Sequence, residues 1–226
     1  MTSRNRNPLV VALDVSDADA AAKLAAELAG EIGLLKVGLE LFTAAGPDAV
    51  ARVREHAPVF LDLKLHDIPN TVGRAARNAG RLGPRLLTVH ALGGPAMVEA
   101  AVRESAAGAK DAGFEPPAVI AVTVLSSIGG ESLASPASLA FEAVEAGASG
   151  VVVSGDDVKT VREVLGDEPI VVVPGVRPSG AASNDHARVL TPREAVSSGA
   201  DYIVVGRPVA EAGDPAAAAR AVLAEL

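Results

Sequence analysis

Asp62, Lys64, His66, Asp67, Asn70 and Thr71 lie within ten residues at the end of an apolar run, Val59-Phe60-Leu61. Alternate side chains of a strand share one face, so Asp62 and Lys64 point the same way, and Asp67 follows once the strand has turned. Taking such charges out of water costs several kcal/mol per ion unless each is paired. A carboxylate that orients an ammonium suits a reaction in which the ammonium stabilises and then protonates a carbanion. Other polar residues also stand where an apolar strand ends: Asp14, Lys36, His90, Ser126, and Gly206 with Arg207. Asp14, Lys36, Asp62 and Lys64 alternate in sign along the chain. Any one pair could be a structural ion pair; four charges on a single face point to a site. Val205-Gly-Arg-Pro208 offers a backbone that an anion can approach and a guanidinium that can fork onto it. Arg177 could close over the same group.

The remaining chemistry-bearing residues are read more plainly. His90 reads as a hydrogen-bonded rim residue, and His66 as packing on the opposite side of the strand's alternation. Neither has a partner at metal-ligand spacing. With no cysteine, thiolate metal sites, disulfides and a Cys nucleophile are excluded. No Ser-His pair, cofactor fingerprint or metal cluster is visible.

Strand ends can converge only if the strands are parallel and gathered on one rim. Short β-branched runs at 9–13, 34–37, 59–63, 86–89, 119–124, 150–153, 170–173 and 202–205 alternate with Ala-rich stretches such as 18–28, 97–112, 138–146 and 215–226. Repeated βα units with strands apolar on both faces give a parallel sheet. Eight of them predict an α/β fold closed as a (β/α)8 barrel of the TIM type, a single domain over 1–226. A doubly wound open sheet would carry a Gly-rich turn after its first strand, where this chain has Asp14-Val-Ser-Asp17. The segment 174–190 lacks helical period and exceeds an ordinary βα loop; after the seventh strand it reads as a phosphate lid.

Composition narrows the ligand. Hydrophobic residues make up 49% of the 226, enough for a large core. Aromatics are 2% with no Trp, which leaves few platforms for stacking bases. Twenty Lys and Arg against 28 Asp and Glu give a net charge of -8, which disfavours nucleic acid and anionic membranes as partners. A small anion held by local cations remains open. The polar start, Met1 to Asn7, and the lack of an apolar run of membrane-spanning length predict a soluble, cytoplasmic protein.

Taken together, Leu13-Asp14, Lys36-Val-Gly38, Asp62-Leu-Lys-Leu-His-Asp-Ile-Pro-Asn-Thr71, Thr88-Val-His-Ala91, Gly93-Gly-Pro-Ala-Met97, Val122-Thr-Val-Leu125, Pro174-Gly-Val-Arg-Pro178 and Val205-Gly-Arg-Pro208 resemble the orotidine 5'-monophosphate decarboxylase family, most closely its bacterial single-function type. The likeness spans nearly the whole chain. It implies conversion of orotidine 5'-monophosphate to UMP and carbon dioxide in pyrimidine biosynthesis, with no metal or organic cofactor. It implies that Lys64 protonates carbon 6 and that Asp62 sits against the departing carboxylate and positions Lys64. Lys36 and Asp14 would bind the ribose hydroxyls. Asp67 and Thr71, flanking Ile68 in the substrate-binding stretch, would reach into a neighbouring subunit's site and make a homodimer. Ser126 would meet the pyrimidine edge. Gly206, Arg207 and the long loop, through Pro174, Arg177 and His186, would hold the phosphate.

Two positions depart from the pattern: His186 stands where Gln is usual, and Ser126 where Thr is common. Two alternatives remain. Magnesium-dependent sugar-phosphate decarboxylases and synthases share the Asp-x-Lys-x-x-Asp strand but put an acidic ligand where this chain has Lys36. A non-catalytic nucleotide-binding barrel should have lost Asp62 or Lys64, and both are present.

Overall fold

Runs of Val, Ile and Leu that are apolar on both faces must be covered on both, and here each is. A computed structural model of the chain describes residues 7–124, 135–178 and 190–226. The strands are β1 (Leu9–Ala12), β2 (Leu34–Val37), β3 (Val59–Leu65), β4 (Leu86–His90), β5 (Ala118–Val122), β6 (Gly150–Val152), β7 (Ile170–Val173) and β8 (Tyr202–Val205). Each pairs in parallel with the next, and β8 pairs with β1, closing the barrel. The predicted fold and all eight strands are present. β3 extends to Leu65, two residues beyond the expected end, and β5 stops at Val122, two residues short.

The helices are α1 (Ala18–Leu28), α2 (Leu39–Ala45), α3 (Pro47–Arg54), α4 (Pro69–Gly80), α5 (Pro95–Asp111), α6 (Pro136–Glu145), α7 (Val158–Leu165), α8 (Pro192–Ser197), α9 (Arg207–Ala210) and α10 (Pro215–Ala224). Six of them open on Pro, whose fixed φ and missing N–H suit the first helical position. Asp17 caps α1 by accepting from the Ala20 N–H at 2.8 Å, and Thr191 and Glu194 form a reciprocal capping box on α8.

Strand alternation sorts the core into two parts. Val10, Ala12, Leu34, Phe60, Leu86, Ile120, Val122, Val152, Val172, Tyr202 and Val204 fill the barrel interior. The residues between them, such as Val11, Leu35, Leu61 and Leu87, pack outward beneath the helices. The inward rows fix what stands at the rim. Two residues past Ala12, Leu34, Phe60, Leu86, Val172 and Val204 come Asp14, Lys36, Asp62, Thr88, Pro174 and Gly206. The apolar rows thus hand over to polar groups at the carboxyl ends of the strands.

Ser126, His186 and most of the expected lid lie outside the described residues. The described ends of that segment meet, the Arg177 N–H donating to the Leu190 carbonyl at 3.0 Å, and the Val176 N–H donates to the Val204 carbonyl of β8 at 3.2 Å. Among the described residues no helix is long and apolar enough to cross a membrane.

Candidate active site

The site is built around an irregularity in β3. Leu61 pairs with Leu87 and Leu65 with Val89, so three residues of β3 face one residue of β4. Lys64 occupies this bulge with φ +50°, the one non-glycine residue in the left-handed region among those described. That conformation costs a residue with a Cβ roughly 1–2 kcal/mol. Its product is a redirected side chain: the Lys64 Nζ comes to 2.7 Å from Asp62 Oδ2. The Lys64 N–H, freed from the ladder, donates to the Thr88 hydroxyl at 2.8 Å, and that hydroxyl donates to Asp62 Oδ1 at 2.9 Å.

The alternating charges seen in the sequence form a continuous chain in space. Lys36 Nζ lies 3.7 Å from Asp14 Oδ1 and 3.7 Å from Asp62 Oδ2. Asp62 is buried, with 8% of its surface exposed, and takes contacts from two ammoniums and one hydroxyl. A carboxylate can accept that many partners, and burial makes each of them count. Gly38 makes room for the arrangement: a Cβ there would stand 2.9 Å from Lys36 Nζ. Gly206 does the same for Asp14, whose Oδ2 would lie 3.3 Å from an added Cβ.

Below the charges, Lys36, Asp62 and Lys64 line a cavity of about 120 Å³ whose other walls include Phe60, Val122, Val152, Val172, Pro174 and Val204. Ligand pockets usually start near ~300 Å³, so this recess suits a single ring with the rest of a ligand lying across the rim. A larger cavity of about 390 Å³, lined by Arg54, Arg85 and Phe114, opens at the opposite end of the barrel, among the loops that lead into β3, β4 and β5. Barrel chemistry sits at the carboxyl ends, so the smaller recess is the candidate site.

The other expected residues fall into two groups. Pro174, Gly206 and Arg207 lie on the rim at the ends of β7 and β8, and Arg177 is buried nearby. Asp67 and Ile68, just before α4, and Thr71, in its first turn, are exposed and, among the described residues, make no hydrogen bond or ion pair with the network. The Asp67 carboxylate accepts from the adjacent Ile68 N–H at 2.6 Å and, among the described residues, makes no ion pair with Lys64.

His66 differs from its expected packing role. Because β3 ends at Leu65, His66 is exposed, and its ring stacks on His90 with centroids 5.1 Å apart and planes 22° from parallel. His90 Nδ1 accepts from the Leu92 N–H at 3.3 Å, which requires a neutral ring at that nitrogen. Burial lowers the His90 pKa, and the neighbouring His66 and Lys64 lower it further. Sequence reasoning missed Thr88 and the space-making role of Gly38. A Thr inside an apolar strand looks like ordinary β-propensity.

Chemically, the recess presents an ammonium beside a buried carboxylate over an apolar floor. That combination favours a group becoming negative where the ammonium points and disfavours a carboxylate lodged beside Asp62. An ammonium also occupies the space between the Asp14 and Asp62 carboxylates, where a hard cation would need oxygen ligands.

The chain is 54% identical over 229 residues to an orotidine 5'-phosphate decarboxylase of Anaeromyxobacter sp. (strain K), covering 96% of this chain and 97% of the relative. It is 48% identical to that of Moorella thermoacetica, covering 98% and 92%. Among solved structures, the orotidine 5'-phosphate decarboxylase of Lactobacillus acidophilus superposes with a TM-score of 0.83 at 37% identity, covering 97% of this chain and 98% of that one. Residues 7–222 match the family described as Orotidine 5'-phosphate decarboxylase / HUMPS, and with this match and relatives of near-complete coverage the chain belongs to that family.

Proposed function

We infer that the chain is an orotidine 5'-phosphate decarboxylase, converting orotidine 5'-monophosphate to UMP and carbon dioxide. The observation that carries this reading is the Lys64 ammonium held 2.7 Å from a buried Asp62 above an apolar recess of ring size. The pyrimidine enters the recess with its carboxylate against Asp62. The bond from carbon 6 to the carboxyl carbon breaks, carbon dioxide leaves, and the electron pair stays on carbon 6. Lys64 stabilises that pair and then supplies the proton that converts it to a C–H bond. Only interactions stronger in the transition state than in the ground state accelerate the step, and the Lys64 ammonium meets that condition.

The remote parts of the substrate supply binding energy. Lys36 and Asp14 take the ribose hydroxyls. Gly206, Arg207 and the segment that includes Pro174, Arg177 and His186 take the phosphate and close over it, and Ser126 meets the pyrimidine edge. Contacts far from the breaking bond can thus drive closure and exclude water.

The working unit is a soluble, cytoplasmic homodimer. Ile68, Leu39 and Leu92, 65%, 53% and 55% exposed, lie just past the carboxyl ends of β3, β2 and β4, beside the recess. Exposed large apolar side chains on the rim that carries a site suit a surface that a partner covers. Asp67 and Thr71 sit on that surface, and each reaches the site of the other subunit.

The test follows the loss of orotidine 5'-monophosphate absorbance in excess chelator, beside a Lys64→Ala variant. Rapid loss in the native protein and a fall of several orders of magnitude in the variant is the expected result. Native protein that binds UMP without turnover would instead indicate a binding-only barrel. Activity that requires magnesium and a sugar phosphate would indicate a synthase.

A further inference from the structure

Thr88 is fully buried, and its hydroxyl is used twice. It accepts from the Lys64 N–H at 2.8 Å and donates to Asp62 Oδ1 at 2.9 Å. A hydroxyl has a single proton, so giving it to Asp62 leaves the oxygen lone pairs for Lys64. The register explains why a side chain is needed at this point. Asp62, Leu63 and Lys64 are looped out opposite Thr88 alone, and it is the Thr88 hydroxyl that meets the Lys64 N–H there. Without the hydroxyl, a part-buried N–H and a buried carboxylate oxygen would both lose a partner.

We propose that Thr88 is the positioning residue of the decarboxylation site. Its hydroxyl ties the left-handed backbone of Lys64 to the carboxylate of Asp62, and so sets where the Lys64 ammonium stands. One end of the clamp holds the strained φ of +50° in place. The other fixes the rotation of the Asp62 carboxylate, so that Oδ1 is occupied and Oδ2 faces Lys64 and Lys36. Both acidic and basic partners of the reaction are therefore referenced to one buried oxygen on a neighbouring strand. The proposal rests on the decarboxylase reading, in which Lys64 is the proton donor.

Thr88→Val keeps the shape and removes the hydroxyl, and Thr88→Ser keeps the hydroxyl and removes a methyl. Misplacing a reacting group by about 1 Å can cost ~100-fold in rate, so Thr88→Val is expected to lose about that factor in kcat. The KM for orotidine 5'-monophosphate and the Kd for UMP should stay within about threefold, because the ribose and phosphate contacts lie elsewhere on the rim. Thr88→Ser should recover kcat to within about threefold of the native value. Three results overturn the proposal: a kcat that Thr88→Val leaves unchanged, equal losses in Val and Ser, or kcat and UMP affinity falling together. If Thr88→Val does not fold, Thr88→Ala is read by the same split against Ser. The native enzyme and Lys64→Ala run alongside, and an inactive native enzyme would refute the decarboxylase reading rather than the role of Thr88.

Discussion

At the scale of the residue, the site depends on side chains that are absent as well as on those that are present. Gly38 has extended backbone angles, φ -93° and ψ -174°, which any residue can adopt, so nothing in its own conformation calls for glycine. What calls for it is the Lys36 ammonium 2.9 Å from where a Cβ would sit. The end of a Lys side chain moves easily, so Gly38→Ala should leave the melting temperature nearly unchanged while displacing Lys36 from its place between Asp14 and Asp62. We expect kcat/KM to fall by about tenfold or more, with folding intact by circular dichroism. Unaltered kinetics would mean that Lys36 need not stand there. That Asp62 and Lys64 meet was legible in the sequence from strand alternation, although in the structure the bulge, and not regular alternation, brings them together. The left-handed backbone of Lys64 was not legible, since no glycine or asparagine marks the position. The His66–His90 stack joins residues 24 apart, and a hydroxyl inside a β-branched run gives no outward sign of its partners.

At the scale of the element, the strands were legible nearly to the residue because a parallel strand buried on both faces must be a continuous apolar run. Both errors in β3 and β5 occur at the catalytic rim, where polar residues replace the apolar pattern and the bulge lengthens β3. The packing of α4 on α5 was not legible, though it holds the turn that carries Asp67 to Thr71. The two helices approach so closely that a Cβ on Gly108 would stand 1.9 Å from the Arg77 carbonyl oxygen, and one on Gly80 would stand 2.1 Å from that of Ser105. Arg77 reinforces the crossing with hydrogen bonds to Glu104 at 3.0 Å and Asp111 at 2.7 Å, and these hold both carboxyl pKa values below their ordinary range. Gly108→Ala would gain about 1 kcal/mol of helix propensity. The clash is with backbone, which no rotamer change relieves, so its cost falls at the upper end of overpacking and the net effect should be a loss of about 1–2 kcal/mol in denaturant unfolding. Gly213→Ala, where an added Cβ meets nothing within 4 Å, is the control and should change stability by less than about 0.5 kcal/mol. Equal stabilities for the two variants would show that α4 and α5 do not meet at this distance.

At the scale of the whole molecule, the proposed function asks for two kinds of site residue, and the fold separates them. Lys36, Asp62, Lys64 and Thr88 are tied together inside the rim. Asp67 and Thr71 are exposed on either side of exposed Ile68. A closed barrel points its inward rows at its own recess, whereas the first turn of α4 lies outside that rim and is free to serve a partner's. In a two-fold dimer the same surface faces itself, so each Asp67 to Thr71 turn would complete the other subunit's site. This makes a quantitative expectation for mixed subunits. Lys64→Ala and Asp67→Ala should each be inactive alone, and co-expressed as differently tagged chains they should pair at random. Half of the dimers would then be mixed, and each would carry one site with both Lys64 and Asp67 intact, restoring about a quarter of native turnover. Mixtures that stay as inactive as their parents, although the tags prove that mixed dimers form, would place Asp67 in the same chain's site and remove the need for a second subunit in the chemistry.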